Sequence, residues 1–434
     1  MNFIDICSGI GGFRTGLERN GHNCIAFAEI DKYAIQSYKA IYDTENEVEL
    51  GDITTMHDSE WEQFKGNCDM IVGGTPCQSF SIAGKRLGFE DTRGTVFFSY
   101  VNAIKQVQPK YFLFENVKGL MSHDKGNTIK VILKAFDEVG YDLDFEVFNS
   151  KYYGVPQNRE RIYIVGIRKD LSDKPFKPVA VGKKKMDLLK AWAKEEINLR
   201  QIHPQLQTEV TTRLIDVLED EVDEKYYLSE EKTKKLTLDF NLTFDEEPRI
   251  SIVENTSRTN YYAANIYDSN GLSTTVAARD YMGPKQIAIP VLTPDRVNKR
   301  QNGRRFKENG EPMFTLTSQD KHGIAIREAT KQGYAVAEQG DSVNVSYPTS
   351  KTRRGRVGKQ VAQTLQAGEV NQGVVMNDIR IRKLTPLECW RLQGFTDEQF
   401  YKAKDSGVSN SQLYKQAGNS VTVNVVDEIV KGLN

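Results

Sequence analysis

Short apolar runs alternate with helix-like segments over the first 168 residues of the chain. The runs are rich in β-branched and aromatic residues, as is typical of strands buried in a sheet. They are Phe3 to Cys7, Cys24 to Ala28, Met70 to Val72, Tyr111 to Phe114 and Arg161 to Ile167. This alternation predicts an α/β domain built around a mostly parallel sheet.

Two polar segments follow this region. Residues 169–185 are rich in Lys, Pro and Gly, and an acidic run extends from Asp216 to Glu231. Such compositions are typical of exposed chain, so we expect surface connections and a solvated helix here. Helical character returns after Arg382, and the pattern from Val421 to Leu433 predicts an amphipathic terminal helix that packs onto the first domain.

A weak internal repeat occupies the region from about 250 to 378. In each of three copies, a Thr followed by Val or Leu leads through a polar turn to a short apolar strand, which predicts β-hairpins. The copies are Leu272 to Val276 running to Ile289, Met313 to Leu316 running to Ile326, and Ala362 to Leu365 running to Val375.

The chain has 434 residues, enough for one large domain and a smaller one, and a formal net charge of −1. A net charge near zero argues against a uniformly basic coat for nucleic acid. Two basic clusters nevertheless lie between the repeat copies, where they suit a phosphate backbone and groove edges. The clusters are Arg296, Lys299, Arg300, Arg304 and Arg305, and Lys351, Arg353, Arg354, Arg356 and Lys359.

The five cysteines, at positions 7, 24, 68, 77 and 389, form no CxxC pair and have no regular spacing. Neither a disulfide framework nor a zinc site is therefore expected. The N-terminus enters a strand at once, and no segment is as long and apolar as a membrane span. We expect a soluble protein of a reducing cytoplasm that holds no metal.

A glycine turn, Gly9 to Gly12, follows the first predicted strand, and such turns let a ligand approach the start of a helix. Glu29 ends the second strand about 20 residues later, where a carboxylate can bind both ribose hydroxyls. Asp52, after the third strand, can reach an exocyclic amine. No lysine follows the turn, and Asp5 would repel phosphate. An adenosine that carries a sulfonium therefore fits better than a dinucleotide.

Cys77 lies on a glycine-rich loop, Gly73 to Ser81, directly after an apolar strand. Backbone amides in a tight turn stabilise a thiolate, so Cys77 is the leading candidate nucleophile. Glu115 ends another strand, and an unpaired carboxylate would be costly in a core. Arg159 and Arg161 occupy alternate positions that face one side. A thiolate, a carboxylic acid and guanidinium groups beside a nucleoside predict covalent catalysis on an electron-poor ring.

These motifs, in this order, resemble those of C5-cytosine-specific DNA methyltransferases. The resemblance covers about 1 to 168 and 380 to 434. It rests on the N-terminal glycine turn, Pro-Cys-Gln-Ser-Phe-Ser around Cys77, Glu-Asn-Val at Glu115, Gln157 to Arg161, and Gly418 to Val421. It implies a Rossmann-like S-adenosylmethionine-dependent methyltransferase domain formed by 1–184 and 379–434. A smaller β-rich target-recognition domain, 185–378, is expected between them.

The resemblance also implies a mechanism. Cys77 adds to C6 of a flipped cytosine, Glu115 protonates N3 and Arg161 holds the O2 edge, while Arg159 orients Glu115 or the cysteine loop. C5 then takes the methyl group of S-adenosylmethionine, which becomes S-adenosylhomocysteine, and Cys77 is eliminated.

Binding residues follow from the same resemblance. Those expected at the cofactor are Cys7, Gly9, Gly11, Gly12, Phe13, Glu29, Ile30, Asp52, Ile53, Pro76, Asn419, Ser420 and Val421. Many members have aromatic residues where this chain has Cys7 and Ile30, so adenine is expected to meet thiol and aliphatic contacts.

The resemblance also implies residues that bind double-stranded DNA. They are Gln78, Ser81, Lys85, Gln157, Arg353, Arg354, Arg356, Thr364 and Leu365. Residues 78–93 are expected to form a mobile loop that closes over the base, and the three arginines are expected to contact guanine.

Three alternatives remain open. A tRNA cytosine methyltransferase would use the same chemistry, but its shorter recognition region and its cysteine-bearing motif are not found here. A nucleotide-dependent oxidoreductase would explain only the glycine turn and Glu29. A catalytically silent DNA-binding regulator would not need Cys77, Glu115 and Arg161 together. The compact layout favours a monomeric bacterial or phage modification enzyme, paired with a restriction endonuclease or solitary.

Overall fold

The structure is a computed structural model that describes residues 1–76, 96–171, 184–229, 252–255, 265–268, 286–288, 323–330, 333–350, 352–366, 372–375 and 381–433. The described residues belong to two compact units. The first consists of Met1–Tyr226, Gln360–Gly373 and Lys383–Asn434, and the second of Tyr227–Lys359 and Val374–Arg382. Among the described residues, no helix has the length and apolar character needed to cross a membrane.

The first unit is built on a seven-stranded sheet with the order β3-β2-β1-β4-β5-β8-β6. The strands β1 to β5 pair in parallel, whereas β8 pairs antiparallel with both β5 and β6. The strands of this sheet are β1 (Asn2–Ile6), β2 (Asn23–Ala28), β3 (Val48–Glu49), β4 (Met70–Gly73), β5 (Tyr111–Val117), β6 (Tyr141–Asn149) and β8 (Glu160–Arg168). Two short strands of the same unit, β7 (Gln157–Asn158) and β16 (Ala362–Gln363), pair in parallel with each other.

Helices cover both faces of this sheet. They are α1 (Gly12–Glu18), α2 (Lys32–Ile41), α3 (Asp58–Glu62), α4 (Val96–Val107), α5 (Asn127–Glu138), α6 (Lys185–Glu196), α7 (Pro386–Arg391), α8 (Asp397–Asp405), α9 (Asn410–Asn419) and α10 (Val423–Lys431). Successive side chains of a strand point to opposite faces, so β1 supplies Ile4 and Ile6 to one core and Phe3 to the other. The first core contains α4 and α5, and the second contains α1 and α10. The result is a three-layer α/β/α arrangement in which both sheet faces are buried.

The second unit contains small sheets. Its strands are β9 (Ile252–Asn255), β10 (Asn265–Asp268), β11 (Gln286–Ala288), β12 (Gly323–Arg327), β13 (Tyr334–Glu338), β14 (Ser342–Asn344) and β15 (Val357–Gly358), together with parts of β17 (Gln372–Val375) and β18 (Ile381–Lys383). β12 and β13 form an antiparallel pair, and β15, β14, β17 and β18 are neighbours in that order. A small apolar cluster around Ile326, Val343 and Ile381 supports these strands.

The predicted fold class is confirmed, because each of the five apolar runs of the first 168 residues overlaps an observed strand. The apolar ends of the three repeat copies also overlap strands, namely β11, β12 and β17. The Thr-Val pair at 275–276 and the Thr-Leu pair at 315–316 lie outside the described residues, as do the first basic cluster and Lys351 of the second.

The prediction of a solvated helix in the acidic run is wrong for the part of that run that the structure describes. Residues 216–229 contain only single turns of 3₁₀ helix, at Leu214–Val217 and Glu224–Tyr226. Arg391 of α7 donates to the Val217 and Leu218 carbonyls, and Glu388 of α7 accepts from the Glu219 amide. Backbone groups that would form hydrogen bonds within a helix are therefore bonded to α7 instead.

The first compact unit continues to Tyr226. The sequence instead predicts that the recognition domain begins at residue 185. Helix α6 explains the difference, because Leu189 and Ala193 on this helix are buried in the core of the first unit. The Lys- and acid-rich composition of this region concealed that apolar stripe.

Candidate active site

The carboxyl ends of β4 and β5 lie side by side, and the loop that leaves β4 passes directly over β5. A Cβ added at Gly74 would lie 3.0 Å from Glu115 Oε2 and 3.2 Å from the Glu115 carbonyl oxygen. The Asn116 amide donates to the Thr75 carbonyl oxygen across 3.0 Å. Pro76 follows and is exposed. The predicted nucleophile Cys77 and the predicted DNA contacts Gln78, Ser81 and Lys85 lie outside the described residues.

Glu115 forms an ion pair with Arg161, whose Nε lies 3.1 Å from Glu115 Oε1. The antiparallel register places Arg161 opposite Val117, two residues from Glu115, so both side chains share one face of the sheet. Burial raises the pKa of the Glu115 carboxyl, and the charges of Arg161 and Arg159 partly oppose this shift. Glu115 is therefore a carboxyl group that is more readily protonated than an exposed one, held beside a guanidinium.

Arg159 is 2% exposed and joins two segments that are distant in sequence. Its guanidinium donates to the Ser420 carbonyl oxygen at 2.7 Å and to the Gly418 carbonyl oxygen at 3.3 Å. Burial, together with the charge of Arg161, lowers the pKa of Arg159 to about 10, so it stays charged at neutral pH. Arg159 was expected to orient Glu115 or the cysteine loop. Among the described residues, its hydrogen bonds connect it to the turn that contains Asn419, and its charge acts on Glu115. Cys77 and the residues after it lie outside the described residues, so the expected effect on the cysteine loop stays a prediction.

The end of β2 and the glycine turn after β1 are joined through Glu29. Its Oε2 accepts a hydrogen bond from the Gly9 amide at 2.8 Å, and its Oε1 accepts from the Ile30 and Asp31 amides at 2.7 and 2.9 Å. A carboxylate has about four acceptor positions, so these three N–H groups leave one for a ligand hydroxyl. Ile30 beside it is 73% exposed, which leaves its apolar side chain open to a ligand.

The glycine turn needs backbone conformations that favour glycine. Gly9 and Gly11 have φ values of 56° and 80°, and Cys7 shares the left-handed region with a φ of 54°. A Cβ added at Gly12 would lie 2.7 Å from Val421 Cγ2 and 2.8 Å from Ser420 Oγ. The turn therefore packs directly against the Ser420 segment that Arg159 holds.

The remaining predicted cofactor residues divide into exposed and buried ones. Asn419 and Asp52 are exposed, and Asp52 Oδ1 accepts hydrogen bonds from the Thr54 amide and hydroxyl. Phe13, Ile53 and Val421 are buried, and Phe13 and Val421 belong to the core cluster that contains α10. Ile53 belongs to the other core cluster of this unit, so all three side chains are part of the packed interior next to the glycine turn and the β2 and β3 ends.

Asp5 is fully buried, and among the described residues no hydrogen-bond partner meets either of its carboxylate oxygens. Burial raises its pKa to about 8, against the charge of Arg14 and with the help of Glu29. From the sequence, Asp5 is expected to be a charge that repels phosphate. The structure corrects this, because a carboxyl with a pKa of about 8 is mostly protonated at pH 7.

The described thiols are not activated. Burial, with the charges of Glu29, Asp5 and Asp52, raises the pKa of Cys7 to about 12, and burial raises the pKa of Cys68 to about 12. Burial also raises the pKa values of Cys24 and Cys389. In the described part of the chain, no cluster of three His, Cys, Asp or Glu residues could hold a metal ion.

Two of the predicted DNA contacts in the first unit, Gln157 and Leu365, are buried in the structure. Gln157 is 0% exposed, donates to the Leu392 carbonyl at 2.8 Å and accepts from the Leu365 amide at 3.4 Å. Thr364 donates its hydroxyl to the Asn158 carbonyl at 3.0 Å. The Gln157 side chain therefore connects β7 to Leu392 and to Leu365, two residues after β16, within the first unit. The expectation that this side chain contacts DNA is corrected.

Arg356 is 1% exposed, and its guanidinium donates to backbone carbonyls instead of facing outward. A guanidinium that is buried and donates to three backbone carbonyls does not face a guanine edge, so this expectation is corrected too. Arg354 is exposed and Arg353 is half-buried, which leaves both available to a ligand. Glycine and arginine spacing in the sequence predicts a basic loop but does not show which arginine turns inward.

The fold and this site are those of an α/β protein with a glycine turn and a carboxylate, Glu29, at one strand end and a carboxyl–guanidinium pair, Glu115 and Arg161, at another. A sequence model of the C-5 cytosine-specific DNA methylases matches residues 1–434, and the chain belongs to this family. It is therefore a cytosine-5 DNA methyltransferase, of a family that uses S-adenosylmethionine.

The chain is 40% identical to "Orphan methyltransferase M.SPRI" of Bacillus phage SPR, over 100% of this chain and 97% of the relative. It is 32% identical to "Type II methyltransferase M.BanI" of Aneurinibacillus aneurinilyticus, over 100% of this chain and 95% of the relative. Among solved structures, a mutant of Spodoptera frugiperda DNMT2 matches with a TM-score of 0.51 and 18% identity, over 100% of this chain and 99% of that one. At this identity the structural match supports the fold alone.

Proposed function

We propose that this chain methylates C5 of a cytosine flipped out of a specific double-stranded DNA sequence, through a covalent bond from Cys77 to C6. The observation that carries the proposal is the Glu115–Arg161 pair, with its Nε to Oε1 distance of 3.1 Å, beneath the loop that leads to Cys77. A target atom inside a stacked duplex cannot reach such a partly buried pair, so the base must leave the stack.

The raised pKa of Glu115 suits it to donate a proton. In the proposed reaction, Glu115 protonates cytosine N3 while the Cys77 thiolate forms a bond to C6, and Arg161 donates a hydrogen bond to O2. The electron pair displaced from the ring makes C5 nucleophilic. C5 takes the methyl group, the C5 proton is lost to a base, and elimination of the Cys77 thiolate restores the aromatic ring as Glu115 regains its proton.

S-adenosylmethionine would supply an electrophilic methyl group on a sulfonium. The residues of the glycine turn fit an adenosine. Glu29 has one acceptor position left for a ribose hydroxyl, Ile30 presents an exposed apolar side chain, and Asp52 is exposed for an exocyclic amine. Asn419 is exposed on the turn held by Arg159, where it can meet the methionine part.

The pKa values of the other thiols support Cys77 as the nucleophile. The thiolate is the reactive form of cysteine, and the pKa values of Cys7, Cys24, Cys68 and Cys389 are all raised by burial. At neutral pH these four remain thiols, so none of them is proposed as the nucleophile.

The biological role we infer is DNA modification. The relatives reported above are named as orphan and as type II methyltransferases, so both a solitary enzyme and one paired with a restriction endonuclease fit this reaction. We further propose that the enzyme acts as a monomer in the bacterial cytoplasm.

Bisulfite sequencing tests the proposal. DNA from a methylation-free bacterial host that expresses the chain should show protected cytosines within one or a few short sequences. Protection should disappear with Cys77→Ser and with Glu115→Gln, while Asp58→Asn on the surface leaves it intact. Wild-type protein that binds S-adenosylmethionine but protects no cytosine would overturn the proposal.

A further inference from the structure

The loop between β14 and β15 in the second unit presents an aromatic side chain in an unusual conformation. Tyr347 is 74% exposed and has a φ of 47°. L-residues other than glycine, asparagine and aspartate rarely adopt this left-handed region, and a bulky residue held there is strained. An exposed tyrosine gains nothing from core packing, so the fold must hold this backbone for another reason.

A buried guanidinium holds one end of the loop from beneath. Arg356 donates to the carbonyl oxygens of Asn344 at 3.1 Å, Ser346 at 3.0 Å and Tyr347 at 2.8 Å. The planar fork of arginine suits several acceptors at once, which the point charge of lysine does not. Arg356 therefore fixes the backbone at Asn344, Ser346 and Tyr347.

A buried carboxylate holds the other end. Glu328 accepts hydrogen bonds from the amides of Gly355 at 3.1 Å, Arg356 at 2.5 Å and Val357 at 3.2 Å. The Ala329 amide donates to the Arg353 carbonyl at 2.8 Å. Two buried charged side chains thus fix the path of a single surface loop, which is a costly arrangement unless the loop's shape matters.

The chemistry of the loop suits nucleic acid. The segment 346–356 contains four basic residues and no Asp or Glu. The Arg353 guanidinium lies 5.9 Å from the centre of the Tyr347 ring, a cation–π distance. An aromatic ring next to the guanidinium groups of Arg353 and Arg354 can contact a base or sugar while the cations meet phosphate or guanine.

We propose that Tyr347 contacts DNA, and that Arg356 and Glu328 are positioning residues that shape the loop for this contact. The inference rests on the proposed function, because it specifies how this chain engages the DNA that it methylates. Arg356 then acts on sequence preference through the loop backbone and not through a base contact of its own.

The Tyr347→Asn variant tests the contact. Asn tolerates the left-handed conformation better than Tyr, so we expect a thermal midpoint that is unchanged or higher. We expect affinity for a duplex containing the methylated sequence to fall about tenfold, because the ring contact is lost. Tyr347→Phe, which keeps the ring, should stay within about twofold of wild type. Fluorescence anisotropy with labelled duplex measures all three proteins.

The matched control is Tyr401→Asn. Tyr401 on α8 is also an exposed tyrosine, at 44%, with Lys404 Nζ 5.6 Å from its ring centre. Its loss should leave DNA affinity unchanged. For the positioning residue, Arg356→Lys should reduce the preference for the methylated sequence over an unrelated duplex while kcat on saturating DNA changes little.

Unchanged affinity in Tyr347→Asn would overturn the inference, and so would a loss of affinity in Tyr347→Phe equal to that in Tyr347→Asn. In either case wild-type methylation in the bisulfite assay would show that the proposed function still holds. Absence of wild-type methylation, with DNA binding that still depends on Tyr347, would overturn the proposed function and support the contact.

Discussion

The Asn116 side-chain amide donates to the Thr75 carbonyl oxygen across 3.0 Å, which anchors the loop that leads to Cys77 on strand β5. The preceding residue of the same strand is Glu115, the carboxyl group of the candidate site. One strand end therefore positions both the proposed proton donor and the approach to the proposed nucleophile. This coupling gives Asn116 a function that its place next to Glu115 in the sequence does not reveal.

Substitution Asn116→Ala should impair catalysis more than folding. The Thr75 carbonyl would lose a buried partner, at a cost of about 1–3 kcal/mol of folding free energy. A loop displaced by about 1 Å should lower the single-turnover rate of methyl transfer about 100-fold. The control is Asn102→Ala, since Asn102 donates to Asp58 on an exposed surface. A variant that unfolds at a lower temperature but transfers methyl at the wild-type rate would contradict this role.

Substitution Gly74→Ala should disturb Glu115. The added Cβ would lie 3.0 Å from Glu115 Oε2 and 3.2 Å from the Glu115 carbonyl, so the loop or the carboxylate must shift. We expect kcat to fall at least tenfold while the dissociation constant for S-adenosylmethionine stays within about twofold. Gly119→Ala is the matched control, because its Cβ would meet only Val117 Cγ2, at 3.8 Å. Equal kcat values for the two variants would show that Gly74 does not need its small size.

Substitution Arg159→Lys should weaken cofactor binding. Lysine keeps the charge but cannot donate in a fork to the Ser420 and Gly418 carbonyls. The turn that contains Asn419 should loosen, and calorimetry should show the dissociation constant for S-adenosylmethionine rising about tenfold. Arg200→Lys, at an ion pair with Asp142 away from the turn, is the control. An unchanged dissociation constant would place the role of Arg159 in protein stability alone.

Local patterns predicted the sheet well because its strands contain short apolar runs. Glu29 and Glu115 lie where strands β2 and β5 end, and Arg161 lies where β8 begins. Side-chain direction was not predictable. Gln157, in a motif that is otherwise part of the site, faces a buried carbonyl at Leu392, and Arg356, one of several arginines in a basic cluster, turns inward. Both outcomes depend on backbone carbonyls that are brought close only by long-range packing, which no local spacing encodes.

Asp5 should make the stability of the protein depend on pH in a direction opposite to that of an ion-paired carboxylate. Its pKa is raised from 3.8 to about 8 by burial, so between these values the unfolded chain has lost the proton that the folded chain retains. The contribution of Asp5 to the free energy of unfolding is therefore largest below about pH 4. It falls by about 1.4 kcal/mol per pH unit as the pH rises toward 8.

The variant Asp5→Asn, which is neutral at every pH, should match the wild type in stability near pH 4 and be more stable than the wild type at pH 8. Urea unfolding at pH 5, 6.5 and 8 measures the difference, with the exposed Asp220→Asn as control. A difference between Asp5→Asn and wild type that stays constant over this range would show that Asp5 is ionised in the folded protein.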